Sequence, residues 1–130
     1  MNTPLIMIVD DSDMDLFVTE KTLKYSGITD RFVICKNGAI ALDYLKTNLT
    51  VPERLPDIIF LDINMPFVNG YAFMNNYEEL PEAVKEKIKI IVLSSSGDNN
   101  DKENFVKNKY ISYYMVKPLT TEELSLLKVG

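Results

Sequence analysis

Five short apolar runs set the fold of this chain: Leu5-Ile6-Met7-Ile8-Val9, Phe32-Val33-Ile34-Cys35, Ile58-Ile59-Phe60-Leu61, Ile90-Ile91-Val92-Leu93 and the more aromatic Tyr113-Tyr114-Met115-Val116. A half-exposed strand alternates apolar with polar residues. A strand covered on both faces need not, so unbroken runs of this length read as strands of a parallel sheet with a layer above and a layer below. Helical patterns fill the gaps. Met14, Phe17, Val18 and Tyr25 fall on one face of the first helix, with Gly27 as its stop. Ala41, Leu42 and Leu45 share a face of the second, behind Asn37 as a cap. Phe73, Met74 and Tyr77 mark a long third region, Tyr71 to Lys87, which Pro81 bends or restarts. The stretch from Asp98 to Lys109 is polar, anchored only by Phe105 and Val106, and predicts a loosely held helix. Thr120-Thr121-Glu122-Glu123 is a capping box ahead of Leu124 and Leu127. A strand–helix unit thus recurs about five times. With right-handed crossovers this gives an α/β fold, an open doubly wound parallel sheet with helices on both faces. Residues 1–130 are expected to form a single domain.

In such sheets, ligands bind beyond the carboxyl ends of the strands. The residue that ends each run therefore carries the functional information. Run one ends in Asp10-Asp11, run three in Asp62, run four in Ser94 and run five in Lys117-Pro118. Three carboxylates, one hydroxyl and one ammonium gather at one edge. Lys36-Asn37 after run two adds nothing comparable, and Asp57 precedes run three, so it belongs to the opposite edge and receives no role. Two carboxylates 4 Å apart repel by roughly 4 kcal/mol at an effective dielectric near 20, so the cluster takes up a proton or a cation. Hard oxygen donors with room for water suit Mg²⁺, which usually sits beside a phosphate. An anion bridging that ion and Lys117 completes the charge balance, and a phosphoryl group is the natural candidate.

Composition removes other chemistries. The chain has no histidine, so neither a Ser-His-Asp relay nor a His-ligated zinc exists here. Cys35 is its one cysteine, which rules out an internal disulfide and reads as a small buried hydrophobe. With 14 basic against 19 acidic residues the net charge is −5, so no nucleic-acid partner is expected. No apolar run approaches the roughly 18 residues of a membrane span, and no basic segment precedes Leu5 as a signal peptide requires. No membrane association and a cytoplasmic location are the expectation.

Ile8-Val9-Asp10-Asp11, Leu61-Asp62-Ile63-Asn64-Met65-Pro66 with Gly70, Leu93-Ser94-Ser95 and Tyr114-Met115-Val116-Lys117-Pro118 together resemble the receiver domain of two-component response regulators. The resemblance covers nearly the whole chain, with the motifs in order on the right strand ends. It implies a flavodoxin-like, five-stranded sheet of order 2-1-3-4-5. It implies Asp62 as phosphoacceptor, Asp11 as a direct Mg²⁺ ligand, Asp10 acting through metal-bound water, and Asn64 lending its backbone carbonyl to the metal. Ser94 stands where the family hydrogen-bonds the phosphoryl group, Lys117 would pair with one of its oxygens, and Tyr114 matches the aromatic switch residue. Met65 and Ser96 would tune the lifetime of the phosphoryl group, and the Lys117-Pro118 bond is often cis in the family. The implied partner is a sensor histidine kinase. The implied output is a change in the face made by the helix before strand 5, strand 5 and the helix after it, where a protein target or a second copy would dock. Such a domain catalyses its own phosphorylation and dephosphorylation and is not a conventional enzyme.

Three other readings of the same residues stand beside this one. Asp11-Ser12-Asp13-Met14-Asp15 resembles the haloacid-dehalogenase phosphatase pattern, in which Asp11 would be the nucleophile, although that family expects Thr or Val where Asp15 stands. A flavodoxin-like FMN carrier would place a Ser/Thr/Gly-rich phosphate loop where Asp10 and Asp11 repel phosphate. A phosphorylation-independent protein-binding module would have no use for Asp11, Asp62, Ser94 and Lys117 together.

Overall fold

The computed structural model describes residues 3–63, 70–94 and 107–125. Each apolar run forms a strand: β1 (Leu5–Val9), β2 (Arg31–Cys35), β3 (Ile58–Asp62), β4 (Lys89–Ser94) and β5 (Ile111–Val116). They make one parallel sheet in the order 2-1-3-4-5. Val9 lies opposite Leu61, Asp62 opposite Leu93, and Ser94 opposite Val116, so the tips of β1, β3, β4 and β5 end in step at one edge.

Among the described residues the α-helices are α1 (Asp13–Tyr25), α2 (Gly38–Thr47), α3 (Gly70–Tyr77), α4 (Glu82–Lys87) and α5 (Thr121–Leu124). They explain why the central strands are apolar throughout. Met7, Val9, Ile59, Leu61, Ile90 and Val92 pack against α2 and α3 through Ala41, Leu45, Phe73 and Tyr77. The alternate residues Ile6, Ile8, Ile58, Phe60, Ile91 and Leu93 pack against α1 and α5 through Leu16, Leu23 and Leu124. The period of two is present, but both faces meet a helix. The two edge strands depart from this rule. Ile34 on β2, and Tyr113 and Val116 on β5, are exposed, because each edge strand has a neighbour on one side only and the helices cover the middle of the sheet.

Local signals place the helix ends. Ser12 Oγ accepts from Asp15 N at 3.2 Å, and Asn37 Oδ1 accepts from Ile40 N at 2.8 Å. Thr120 Oγ1 accepts from Glu123 N at 3.1 Å and donates its hydroxyl to Glu123 Oε1 at 3.3 Å. Gly27 ends α1 at φ 80°, a conformation that favours glycine. Pro81 restarts the third region, so two short helices replace one. At the N-terminal edge Asp57 is structural, as its position implied: its carboxylate accepts from Leu5 N at 2.9 Å and from Lys87 Nζ at 3.1 Å.

The face assigned to α1 is corrected. Met14, Phe17, Val18 and Tyr25 are 76%, 60%, 37% and 88% exposed, whereas Leu16, Thr19 and Leu23 are buried. Both stripes obey helical spacing. The inward one is shorter in apolar count because Thr19 belongs to it, and it wins because Leu16 and Leu23 reach Leu119 and Leu124 in the core beneath. Most of the polar helix expected over 98–109, with Phe105 and Val106, lies outside the described residues, as do Asn64, Met65, Pro66, Ser95, Ser96 and Leu127.

Candidate functional site

Where β1 ends, Asp10 is buried and Asp11 is exposed. Asp10 is fixed twice: its N–H donates to Cys35 O at 3.0 Å, and its Oδ1 accepts from Ser12 N at 2.9 Å. Asp62 ends the neighbouring β3 and is buried, and Ser94 ends β4 with no exposure at all. One residue beyond β5, Lys117 N donates to Ser94 O at 2.8 Å, which carries the ladder past the strand and aims the lysine stem across the edge. The Lys117–Pro118 peptide is cis.

These residues converge. Oxygens of Asp10, Asp11 and Asp62 all lie within 4.8 Å of one another. Lys117 Nζ is 2.8 Å from Asp10 Oδ2, 2.9 Å from Asp15 Oδ2 and 3.6 Å from Asp62 Oδ1. Burial alone would lower the Lys117 pKa. The hydrogen bonds to Asp10 and Asp15 and the charge of Asp62 outweigh it, so the ammonium is held above the usual lysine value. Three carboxylates in such a space, two of them buried, hold more negative charge than one ammonium offsets. The donor set is all hard oxygen and is open at Asp11, which fits a divalent cation of the Mg²⁺ type.

The switch candidates are also placed. Tyr114 turns toward the core under α2 and α3, and its hydroxyl is buried with no hydrogen-bond partner among the described residues, while Tyr113 is exposed. Burial pushes the Cys35 thiol up to about 11, as expected of a core cysteine far from ionisation. Asn64 falls outside the described residues. One residue of the site was not assigned to it from the sequence: Asp15, in the first turn of α1, which grips Lys117. Asp13, the second acid of the dehalogenase-type pattern, is exposed and pairs with Lys36 instead.

A sheet of this order with acids on two central strand tips and a lysine at the edge defines a flavodoxin-like α/β domain with a charged site at the carboxyl ends of its strands. The response regulator receiver domain model matches residues 6–127, and the chain belongs to that family. It is 37% identical to a response regulator receiver protein from Dyadobacter fermentans, with a TM-score of 0.84 over 95% of this chain and 94% of that one. A two component response regulator from Cytophaga hutchinsonii superposes with a TM-score of 0.88 at 26% identity, over 96% and 94% of the two chains. The sensor histidine kinase CheAY of Helicobacter pylori is 29% identical over 93% of this chain, which spans 14% of that much longer protein.

Proposed function

We propose that residues 1–130 act as one receiver domain that accepts a phosphoryl group on Asp62 from a sensor histidine kinase and passes the change to a protein partner. The observation that carries this reading is the convergence of Asp10, Asp11 and Asp62 within 4.8 Å, with the Lys117 ammonium 3.6 Å from Asp62. An Asp62 carboxylate oxygen attacks phosphorus. The new P–O bond forms as the bond from phosphorus to the kinase's histidine nitrogen breaks, and the electron pair leaves on that nitrogen. Asp10, Asp11, Asp62 and the backbone carbonyl of Asn64 would hold Mg²⁺, which supplies charge neutralisation to the phosphoryl oxygens when bound. Lys117 pairs with one of those oxygens, and Ser94 donates its hydroxyl to another. Catalysis is thus positioning and electrostatics, with little covalent work for the protein. Attack of water on phosphorus later returns Asp62 as a carboxylate and releases inorganic phosphate.

Output follows from two residues. Movement of Ser94 toward the phosphoryl group draws Tyr114 after it, and a hydroxyl without a hydrogen-bond partner among the described residues gives Tyr114 little to lose by moving. The changed face, centred on β5, is where a protein target or a second copy docks. Family membership and the likeness to CheAY support the kinase as donor. No helix among the described residues is long and apolar enough to cross a membrane. The test is intact-mass spectrometry after incubation with acetyl phosphate and Mg²⁺. An adduct is expected in the wild type, lost with chelator and lost in Asp62→Asn. An adduct that survives Asp62→Asn but disappears in Asp11→Asn would move the chemistry to the phosphatase reading.

A further inference from the structure

We propose that Asp15 is a positioning residue that holds the Lys117 ammonium back toward α1 in the unphosphorylated protein, so that phosphorylation of Asp62 requires Lys117 to leave Asp15 for the phosphoryl group. This rests on the phosphoacceptor reading above. The geometry is asymmetric. Lys117 Nζ donates to Asp10 Oδ2 at 2.8 Å and to Asp15 Oδ2 at 2.9 Å, but its 3.6 Å separation from Asp62 Oδ1 is beyond hydrogen-bond length. The resting lysine therefore belongs to β1 and α1, not to the residue it must serve.

Asp10 and Asp15 are not equivalent in this grip. Asp10 is buried and is one of the three carboxylates grouped closely enough to hold a cation; Asp15 is outside that group. A metal taken up by Asp10 competes for the oxygens that Lys117 uses, whereas Asp15 remains a dedicated partner of the ammonium. Its position is rigid. Asp15 N donates to the Ser12 cap, and Leu16 and Thr19 beside it are buried, so α1 is not free to roll away. Asp15 is itself 42% exposed, so its pair with Lys117 is of the weak, half-solvated kind that can be exchanged on each cycle.

The exchange has a directional consequence. A carboxylate carries one negative charge, and a phosphoryl group on Asp62 carries about two at neutral pH and offers three acceptor oxygens, so Lys117 is drawn from Asp15 as the phosphoryl group arrives. Forward transfer includes the loss of the Lys117–Asp15 bond. Hydrolysis starts after that bond has gone, so Asp15 does not enter its barrier. Removing Asp15 should thus speed phosphorylation and leave dephosphorylation alone, an asymmetry that a general loss of structure does not produce.

The experiment compares wild type, Asp15→Asn and Asp13→Asn at saturating Mg²⁺ with acetyl phosphate as donor. Asp13 is the control because it puts the same charge in the same helical turn but pairs with Lys36. In the transfer, Asp62 oxygen bonds to phosphorus and acetate leaves with the bridging oxygen and its electron pair. Asp15→Asn is expected to raise the maximal rate of adduct formation by about two- to fivefold, the equivalent of one half-exposed ion pair. The KM for acetyl phosphate and the rate of adduct loss should match those of Asp13→Asn. A slower or unchanged maximal rate, or an equal acceleration of adduct loss, overturns the assignment. So does an effect on KM alone that Asp13→Asn shares, which would be a general charge effect. If wild-type Asp62 takes no adduct, the phosphoacceptor reading fails first and takes this one with it. If Asp62 is labelled normally and Asp15→Asn behaves as Asp13→Asn, only the role of Asp15 falls. Asp15→Ala, with thermal melting of every variant, separates loss of the carboxylate from loss of fold.

Discussion

Lys117→Ala tests whether one ammonium balances the charges at this edge. Lys117 is 13% exposed, and the two buried acids it pairs with, Asp10 and Asp62, are 2% and 4% exposed in their side chains. At an effective dielectric near 20, the 2.8 Å and 3.6 Å separations correspond to roughly 6 and roughly 5 kcal/mol of gross attraction. The half-exposed Asp15 adds less than about 1 kcal/mol. Desolvation of the ions cancels much of the gross figure. What remains on deleting one partner of a buried pair is about 3–5 kcal/mol, since the acids left behind lose the counter-charge that the ammonium supplied. Taking the lower value because the site opens to solvent at Asp11, the melting temperature in chelator should fall by roughly 10 °C for a domain of this size. Mg²⁺ at a hundred times its dissociation constant stabilises any receiver that binds it by about 2.7 kcal/mol. It should stabilise Lys117→Ala by more, because the cation then relieves repulsion that the lysine formerly relieved. The assay is thermal melting of wild type and variant, each with EDTA and across a Mg²⁺ titration. The gap between them should be wide in EDTA and narrow with Mg²⁺. A gap that stays constant, or a variant at least as stable as wild type in EDTA, would show that Lys117 does not carry the charge balance.

Two further predictions concern the core. Tyr77 is fully buried and its hydroxyl has no hydrogen-bond partner among the described residues, so Tyr77→Phe removes an unsatisfied group and should stabilise the fold by about 1 kcal/mol in urea melts; a destabilised variant would reveal a partner for that hydroxyl. The Cys35 thiol is raised from 9.0 to about 11 by burial, so above pH 9 the unfolded chain loses this proton before the folded one does. Stability should therefore decline as pH rises through that window, by up to about 3 kcal/mol, and Cys35→Val should flatten the decline in urea midpoints measured from pH 8 to 10.5. Parallel slopes for the two proteins would refute it.

The parts of this structure legible in the sequence are those fixed by a short repeat. Strand positions follow from unbroken apolar runs, and Asp10, Asp11, Asp62, Ser94 and Lys117 follow from them because a strand's last residue is its tip. Helix α1 was harder. Its two stripes are both compatible with 3.6-residue spacing, and counting apolar side chains favours Met14, Phe17 and Val18, which are exposed, over Leu16, Thr19 and Leu23, which are buried. That error and the failure to find Asp15 are the same error. Asp15 is four residues before Thr19, so it turns toward the sheet only when the Leu16–Thr19–Leu23 stripe does. Which stripe turns inward depends on where Leu119 and Leu124 arrive from the other end of the chain, and no local pattern carries that information.

The order of the strands also explains why the cation at this edge must be a lysine with more than one anchor. Adjacent strands lie about 4.8 Å apart, so three spacings, roughly 14 Å, separate β1 from β5. Two carboxylates from β1 and β3 meet easily across one spacing. A cation based on β5 has to cross the tips of β4 and β3 to reach Asp10, and only a long side chain does so. A long stem has many rotamers, and fixing them costs up to about 2 kcal/mol. A single hydrogen bond to Asp10 barely offsets that cost, because a typical one to a charged group is worth about 1.5–3 kcal/mol. The backbone bond from Lys117 to Ser94 and the second grip by Asp15 make up the difference, one at each end of the stem. An ammonium fixed at its base but shared at its tip keeps its reach and can still change partners. Arginine would satisfy the first requirement and fail the second, because its planar fork fixes on one carboxylate at a time.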